Sequence, residues 1–394
     1  MKNINKLIKD EASATVRRDE DGCYFDLSKK CLTNFGKKQL NHEQLMNLFS
    51  KLRLRITLTP KCNQWCIFCS NEGLGYETRC NNEADINLVI KLCDMILKTT
   101  PLKSIDFSGG EPLLHSDFNE NIFKLVDWTK KYPRIRFSLH TNGLNLNPDI
   151  LNKIKNNFAR IGITINSTNF STWNKMTNLR DKFPLRAQKL KFKNLLENLE
   201  YLSKQGIGEK VFLKSVVMKG INDGEKELKK FLELCRKYNF HPKFLEFEPQ
   251  YKDQKKFIVG RKELFSKLKK LGCEFFPKTP YHNNSNCYIP SVNFIYKETP
   301  IGLHSIFGCG KEVVCRCCYD FLCMFVKPHK DGSGLYLKPC SVLDTRIDLT
   351  HTIRTTNHNQ LLDLFKISRE YLMLAPGSGI SGWNKDPRFK YEKK

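Results

Sequence analysis

Cys62, Cys66 and Cys69 are spaced C-x3-C-x2-C within C-N-Q-W-C-I-F-C. Three thiolates on one tight loop can each take one iron of a 4Fe-4S cube and leave the fourth iron open to a ligand. The competing reading of this spacing is a helical i, i+4, i+7 stripe of buried thiols. Pro60, Asn63 and Asn71 favour the loop. A second group, Cys309, Cys315, Cys317, Cys318, Cys323 and Cys340, is too dense for core thiols. It suits a second iron–sulfur cluster, with zinc or spare thiols as the alternatives.

The remaining polar signals fall at regular intervals. Ser108-Gly109-Gly110-Glu111-Pro112 combines glycines, which let a ligand approach the backbone, with a carboxylate that could receive a cationic amine. Thr141-Asn142-Gly143, Asn166-Ser167, Asn222 and Glu246 follow. Each lies at the end of an apolar, strand-like run: Arg53–Leu58, Lys103–Phe107, Arg134–His140, Arg160–Ile165, Lys210–Val217 and Lys243–Phe247. Helical patterns alternate with these runs at Glu83–Lys98, Asp117–Lys131, Pro148–Asn156, Leu185–Gln205 and Asp223–Tyr238. Six β-then-α units imply parallel strands joined by right-handed crossovers, and the carboxyl ends of such strands are where sites are built.

The expected fold is therefore α/β: a partial (β/α)6 barrel with a small C-terminal Cys-rich auxiliary domain. Residues 1–50 are expected as an N-terminal extension and 51–250 as the barrel. Residues 251–350 would form a linker helix and the auxiliary cluster domain, and 351–394 a tail. The 394 residues can bury a full core, and 40% hydrophobic content excludes a disordered chain. No run approaches the roughly 18 apolar residues of a membrane span, and the N-terminus lacks a signal-peptide core, so the expected location is cytoplasmic. A net charge of +25 favours anionic partners, yet the lysines are spread without a dense basic run.

These residues together resemble the radical S-adenosylmethionine (SAM) enzymes from about Arg53 to Arg354. The resemblance is greatest to the GTP 3′,8-cyclase branch of molybdenum-cofactor biosynthesis, through L-R-I-T-L-T-P-K-C, F-S-G-G-E-P-L-L, T-N-G and V-V-M-K-G-I-N-D. It implies that Cys62, Cys66 and Cys69 hold a 4Fe-4S cluster that chelates SAM, with Phe68 against the adenine. Gly109, Gly110 and Glu111 would receive the methionine amino group beside Thr141 and Asn142. Thr164, Asn166 and Ser167 would face the ribose or carboxylate. The stretch D-G-S-G-L-Y-L-K-P-C resembles the closing hairpin of that branch's auxiliary domain. Cys315, Cys318 and Cys340 fit its template, with Cys323 also at a workable distance. The partners implied are a small-molecule or peptide substrate and an external electron donor such as flavodoxin or ferredoxin.

The substrate-reading positions depart from the branch. Arg55 is kept, but Asp106 stands where an arginine is expected, a change that would repel a triphosphate. The family lysine falls at Phe212, with Lys214 two residues on and so on the same strand face. Two further arginines fall at Asp320 and Leu322, or at Phe325 and Lys327 if Cys323 is the second ligand of its pair. Each lost charge-assisted contact costs about 1.5–3 kcal/mol. The expected substrate is a small nucleoside-, nucleotide- or sugar-like molecule other than GTP, with Arg55 and Lys214 as candidate contacts. A ribosomal peptide, or GTP in an altered pocket, is the alternative. His140 is left open between facing the substrate and bonding backbone at a strand end.

Overall fold

The structure is a computed structural model, and it describes residues 15–19, 22–26, 41–69, 83–117, 122–179, 183–247, 249, 252–276, 291–304, 323–329, 332–338 and 346–374. Six parallel strands form its centre: β3 (Arg53–Thr57), β4 (Ser104–Ser108), β5 (Arg136–Thr141), β6 (Arg160–Thr164), β7 (Val211–Val217) and β8 (His241–Glu246). Each differs from its expected run by no more than two or three residues at either end, the ordinary uncertainty of element boundaries.

The crossovers are α2 (Ile86–Thr99), α3 (Ile122–Thr129), α4 (Pro148–Ile154), α5 (Phe170–Thr177) with α6 (Leu185–Lys204), and α7 (Glu225–Lys237). They follow α1 (His42–Lys51). Local chemistry starts several of them. Asn41 and Gln44 make a reciprocal capping box on α1, and Asp85 accepts from the amides of Asn87 and Leu88 on α2. Asn147 caps α4 one residue before Pro148, which needs no amide partner. Helix α5 carries no clear sequence signal beyond its Asn169 cap; its apolar face is Trp173 and Met176, both fully buried.

Period-two alternation divides the sheet into two faces. Leu54, Ile56, Ile105, Phe107, Phe137, Leu139, Ile161, Ile163 and Leu213 are buried in one continuous core with the helices. The opposite face lines the concave side, which we call the lumen. The strand register sets polar rows across it: Arg55, Asp106, Ser138 and Arg160 in one, and Thr164, Lys214 and Lys243 in another. A row of His140, Gly162, Phe212 and His241 lies between them.

The C-terminal region extends this same sheet at both edges. Strand β11 (Thr299–His304) adds parallel to β8, followed by β10 (Ser291–Tyr296) and β9 (Glu274–Phe276), after helix α8 (Arg261–Lys270). At the other edge β12 (Cys323–Pro328) adds parallel to β3, followed by β13 (Leu335–Lys338) and β14 (Arg346–Asp348). Strand β14 pairs in turn with β2 (Gly22–Asp26), and β2 with β1 (Thr15–Asp19). The described residues end with α9 (Thr350–Arg354) and α10 (His358–Leu374). There Phe365 meets Phe49 of α1 with ring centroids 5.3 Å apart. Among the described residues no helix is long and apolar enough to cross a membrane.

Candidate active site

Cys62, Cys66 and Cys69 lie on the loop after β3, all half-buried. The spacing is realised as a loop, and neighbouring elements hold its backbone. The Trp65 amide donates to the Thr177 carbonyl and the Ile67 amide to that of Met176, both at 3.0 Å, so the C-terminal turn of α5 fixes its course. Gln254 Nε2 donates to the Ile67 carbonyl at 3.3 Å. Phe68 is half-buried against a small apolar cluster made by Met176, Val216, Met218 and Phe247.

The Ser108–Pro112 turn crosses directly over the entry to this loop. The Gly110 amide donates to the Thr59 carbonyl and the Glu111 amide to the Lys61 carbonyl, each at 2.7 Å. No side chain fits between them: a Cβ on Gly109 would lie 2.5 Å from the Thr59 carbonyl oxygen, and one on Gly110 at the same distance from that of Pro60. The two glycines are thus required by backbone contact.

Glu111 is completely buried beneath this junction. Its carboxylate accepts from the Thr141 hydroxyl at 2.7 Å, the Asn142 amide at 2.6 Å and the Leu113 amide at 3.1 Å. Burial pushes its pKa up to about 7, against the lowering effect of those donors and of Lys214. An arriving ammonium would return it to the charged form. Asn142 completes the link to the thiols, since its Nδ2 donates to Asn63 Oδ1 at 2.7 Å and lies 3.9 Å from Cys62 Sγ. Three separate turns, after β3, β4 and β5, are therefore one hydrogen-bonded unit. Among the described residues no three Cys, His, Asp or Glu side chains converge on a single-ion position. A cube, in which each iron takes its own thiolate, does not require that, and a donor set of three loop thiols fits one.

Thr164 lies on the lumen row beside Lys214. Asn166 takes a left-handed backbone, φ 65°, and its Oδ1 accepts from the Val216 amide at 2.9 Å, so its side chain ties the β6 turn to β7. Ser167 donates to Glu227 at the start of α7, at 2.6 Å. Arg55 and Lys214 both face the lumen. Cys323 opens β12, opposite Arg53; Cys315, Cys318 and Cys340 lie outside the described residues.

Asp106 behaves differently from its expectation. It is buried, accepts from His140 at 3.3 Å, and lies 3.6 Å from both Arg53 Nε and Arg55 Nη2. Burial alone would raise its pKa, but His140 and the two arginines hold it well below the usual carboxylate range. Its charge is absorbed by these partners, so it fixes cations in the lumen more than it repels an anion. His140 bonds side chains and not backbone: Asp106 through Nε2 and Lys214 through Nδ1, the latter at 2.6 Å. Burial and the lysine depress its pKa to about 3, so the imidazole is neutral at physiological pH.

Sequence reasoning passed over Arg53, Arg160, Gly162 and Lys243. Lys243 has its pKa lowered to about 8 by burial and by Arg53 and Arg55 nearby. Alternation of charge at i, i+2 along Arg53/Arg55 and on successive strands was the available signal.

Residues 56–232 match the radical SAM superfamily. That stretch of the chain is similar to that superfamily. Curated relatives include a GTP 3′,8-cyclase of Clostridium acetobutylicum, 28% identical over 53% of this chain and 60% of its own length. A second, from Clostridium botulinum, is 25% identical over 76% of this chain and 84% of its own. A probable GTP 3′,8-cyclase of Methanocella arvoryzae is 31% identical over 44% and 50%. The chain thus spans 60% of the length of the C. acetobutylicum relative. Among solved structures, native anSMEcpe with bound AdoMet and Cp18Cys peptide superposes at a TM-score of 0.42 and 16% identity, over 56% of this chain and 58% of that one. The superfamily's cofactors are a 4Fe-4S cluster and SAM, and the residues that fit them here are Cys62, Cys66 and Cys69 for the cluster and Glu111 for the amine.

Proposed function

We propose that this protein is a radical SAM enzyme acting on a small anionic substrate, nucleoside-, nucleotide- or sugar-like, held in the lumen of the barrel. The observation that carries this reading is the locking of the Cys62–Cys69 loop to the Gly109–Glu111 turn and to Thr141-Asn142. When bound, the cluster would supply the electron for reductive cleavage of SAM, the chemistry by which this family abstracts hydrogen from a substrate. The three cysteines hold the cluster. Glu111 binds the methionine ammonium, Phe68 bounds the adenine side, and Thr164 and the Asn166-Ser167 turn face the ribose or carboxylate. Gly109 and Gly110 bring the backbone close enough for these groups to act on one molecule.

The lumen supports an anionic substrate. Arg53, Arg55, Arg160, Lys214 and Lys243 line it, with the carboxylate of Asp106 among them. Desolvated cations of this kind bind phosphate or carboxylate strongly. Phe212 stands at the position of the family lysine and is engaged by the Arg160 guanidinium 5.0 Å over its ring and by His241 stacked at 5.0 Å. That arrangement favours a substrate other than GTP. The cation-rich lumen favours a second reading, a GTP 3′,8-cyclase with rearranged phosphate contacts. A second iron–sulfur cluster on Cys315, Cys318, Cys340 and Cys323, a cytoplasmic location and a flavodoxin or ferredoxin reductant complete the proposal.

The test is anoxic reconstitution with iron and sulfide counts, and with 5′-deoxyadenosine measured after SAM and dithionite are added. The expected result is about eight irons per chain, falling to about four in a Cys62/Cys66/Cys69→Ala variant that makes no 5′-deoxyadenosine. Absence of the nucleoside from wild type overturns the reading. GTP consumption to a cyclised product would select the second one.

A further inference from the structure

Lys214 arises from β7, yet its ammonium donates to His140 on β5, two strands away, with β6 between them. The crossing point is Gly162. A Cβ there would lie 2.6 Å from His140 Nδ1 and from Lys214 Cε, and 2.7 Å from Lys214 Nζ. The glycine does not have a positive φ, so it serves here as a gap in the wall through which the lysine passes. An ammonium has no acceptor lone pair, so Nδ1 must accept, and the ring proton sits on Nε2, where it donates to Asp106. Asp106 is held in turn by Arg53 and Arg55. Each link thus determines the orientation of the next, from the arginines on β3 to the lysine on β7.

Lys214 is also close enough to Glu111 to lower its pKa. It is therefore the lumen cation that lies electrostatically between the SAM-binding carboxylate above and the Asp106 cluster below. A lysine held rigidly there reads a substrate oxygen with less loss of rotamer freedom than a mobile one.

We propose that Lys214 is the specificity-determining contact to an anionic group of the substrate, and that Asp106, His140 and Gly162 are the positioning residues that carry it across β6. This rests on the function proposed above. The anion could come from either of two sources, a phosphate or carboxylate of the substrate or the carboxylate of SAM; we assign it to the substrate.

The test uses reconstituted full-length protein, with inorganic pyrophosphate as the anion probe and SAM titrated separately, both by calorimetry. Lys214→Met is expected to weaken pyrophosphate about tenfold or more while leaving SAM affinity within about threefold. His140→Leu should reproduce that loss. His140→Gln keeps one acceptor and one donor but cannot be protonated, and it should restore affinity to within about threefold of wild type. Gly162→Ala should fall with His140→Leu.

The inference is overturned if His140→Leu binds the probe as wild type does, or if His140→Gln loses as much as His140→Leu. It is also overturned if wild type does not bind pyrophosphate at all. Loss of SAM and not of pyrophosphate in Lys214→Met would assign the anion to SAM and overturn the substrate assignment. 5′-Deoxyadenosine formation from SAM alone is read in the same samples. Its absence in wild type fails the parent reading, while the pyrophosphate series still decides on Lys214.

Discussion

Glu111 is the residue on which the site turns. It is fully buried with its pKa raised to about 7, above the 4.5 of an exposed glutamate. The sign follows from linkage. Without a ligand, the folded state holds a proton that the unfolded state releases between those values, so Glu111 contributes stability below pH 4.5 that is lost as pH rises through 7. A cationic ligand needs the ionised form, and SAM affinity should rise between pH 6 and pH 8, by up to about tenfold. Calorimetric titration at both pH values checks this, and Glu111→Gln should bind weakly with a flat profile. His140 has the opposite linkage. Its folded pKa of about 3 lies below the 6.5 of an ordinary imidazole, so its contribution is full above 6.5 and declines as pH falls toward 3. Urea unfolding at pH 7.5 and pH 5 should show a smaller acid-induced loss in His140→Gln than in wild type.

At the scale of elements, the site is made by turns whose backbones touch. Gly110→Ala places a methyl group against the Pro60 and Lys61 carbonyls and must push the Ser108–Pro112 turn away from the cysteine loop. Strain of this kind costs about 1–3 kcal/mol. Iron bound after reconstitution should drop along with the thermal midpoint, as a spectrum and a melting curve together would show. The turns were legible in the sequence because they combine glycine, asparagine and cysteine at strand ends, where few other roles exist for them. The six strands were legible from their apolar runs. What escaped was the lumen network. Arg53, Lys243 and Gly162 are unremarkable in sequence, and only strand register brings them into rows with Asp106 and Lys214. Asp106 was misjudged for the same reason: a carboxylate's effect on an anion depends on what already neutralises it, which spacing does not reveal. Helix α5 was passed over because eight residues are too few for a clear period.

At the scale of the molecule, the barrel strands are the middle of a longer sheet. Strand β12 covers the β3 edge and presents Phe325 to the Arg55 guanidinium, 5.7 Å from the ring centroid. The C-terminal region therefore forms part of the lumen wall. The last helices close the outside, where Phe365 is fully buried against Phe49 and Lys91 donates to the Arg354 carbonyl at 2.9 Å. Phe365→Ala should cost about 3–5 kcal/mol. Differential scanning calorimetry would measure that loss, while SAM affinity should be unchanged at temperatures where the protein remains folded.

The pairing of β3 with β12 also sets an order in time. Arg53 leaves the ribosome long before Cys323, its partner in the finished sheet. Until then the first barrel strand has an open edge, next to the loop that must collect a cluster. A nascent chain of this protein should accordingly depend on chaperones, or on early cluster insertion, until β12 emerges. The contact that completes its active-site wall can form only once β12 has followed β3 out of the ribosome.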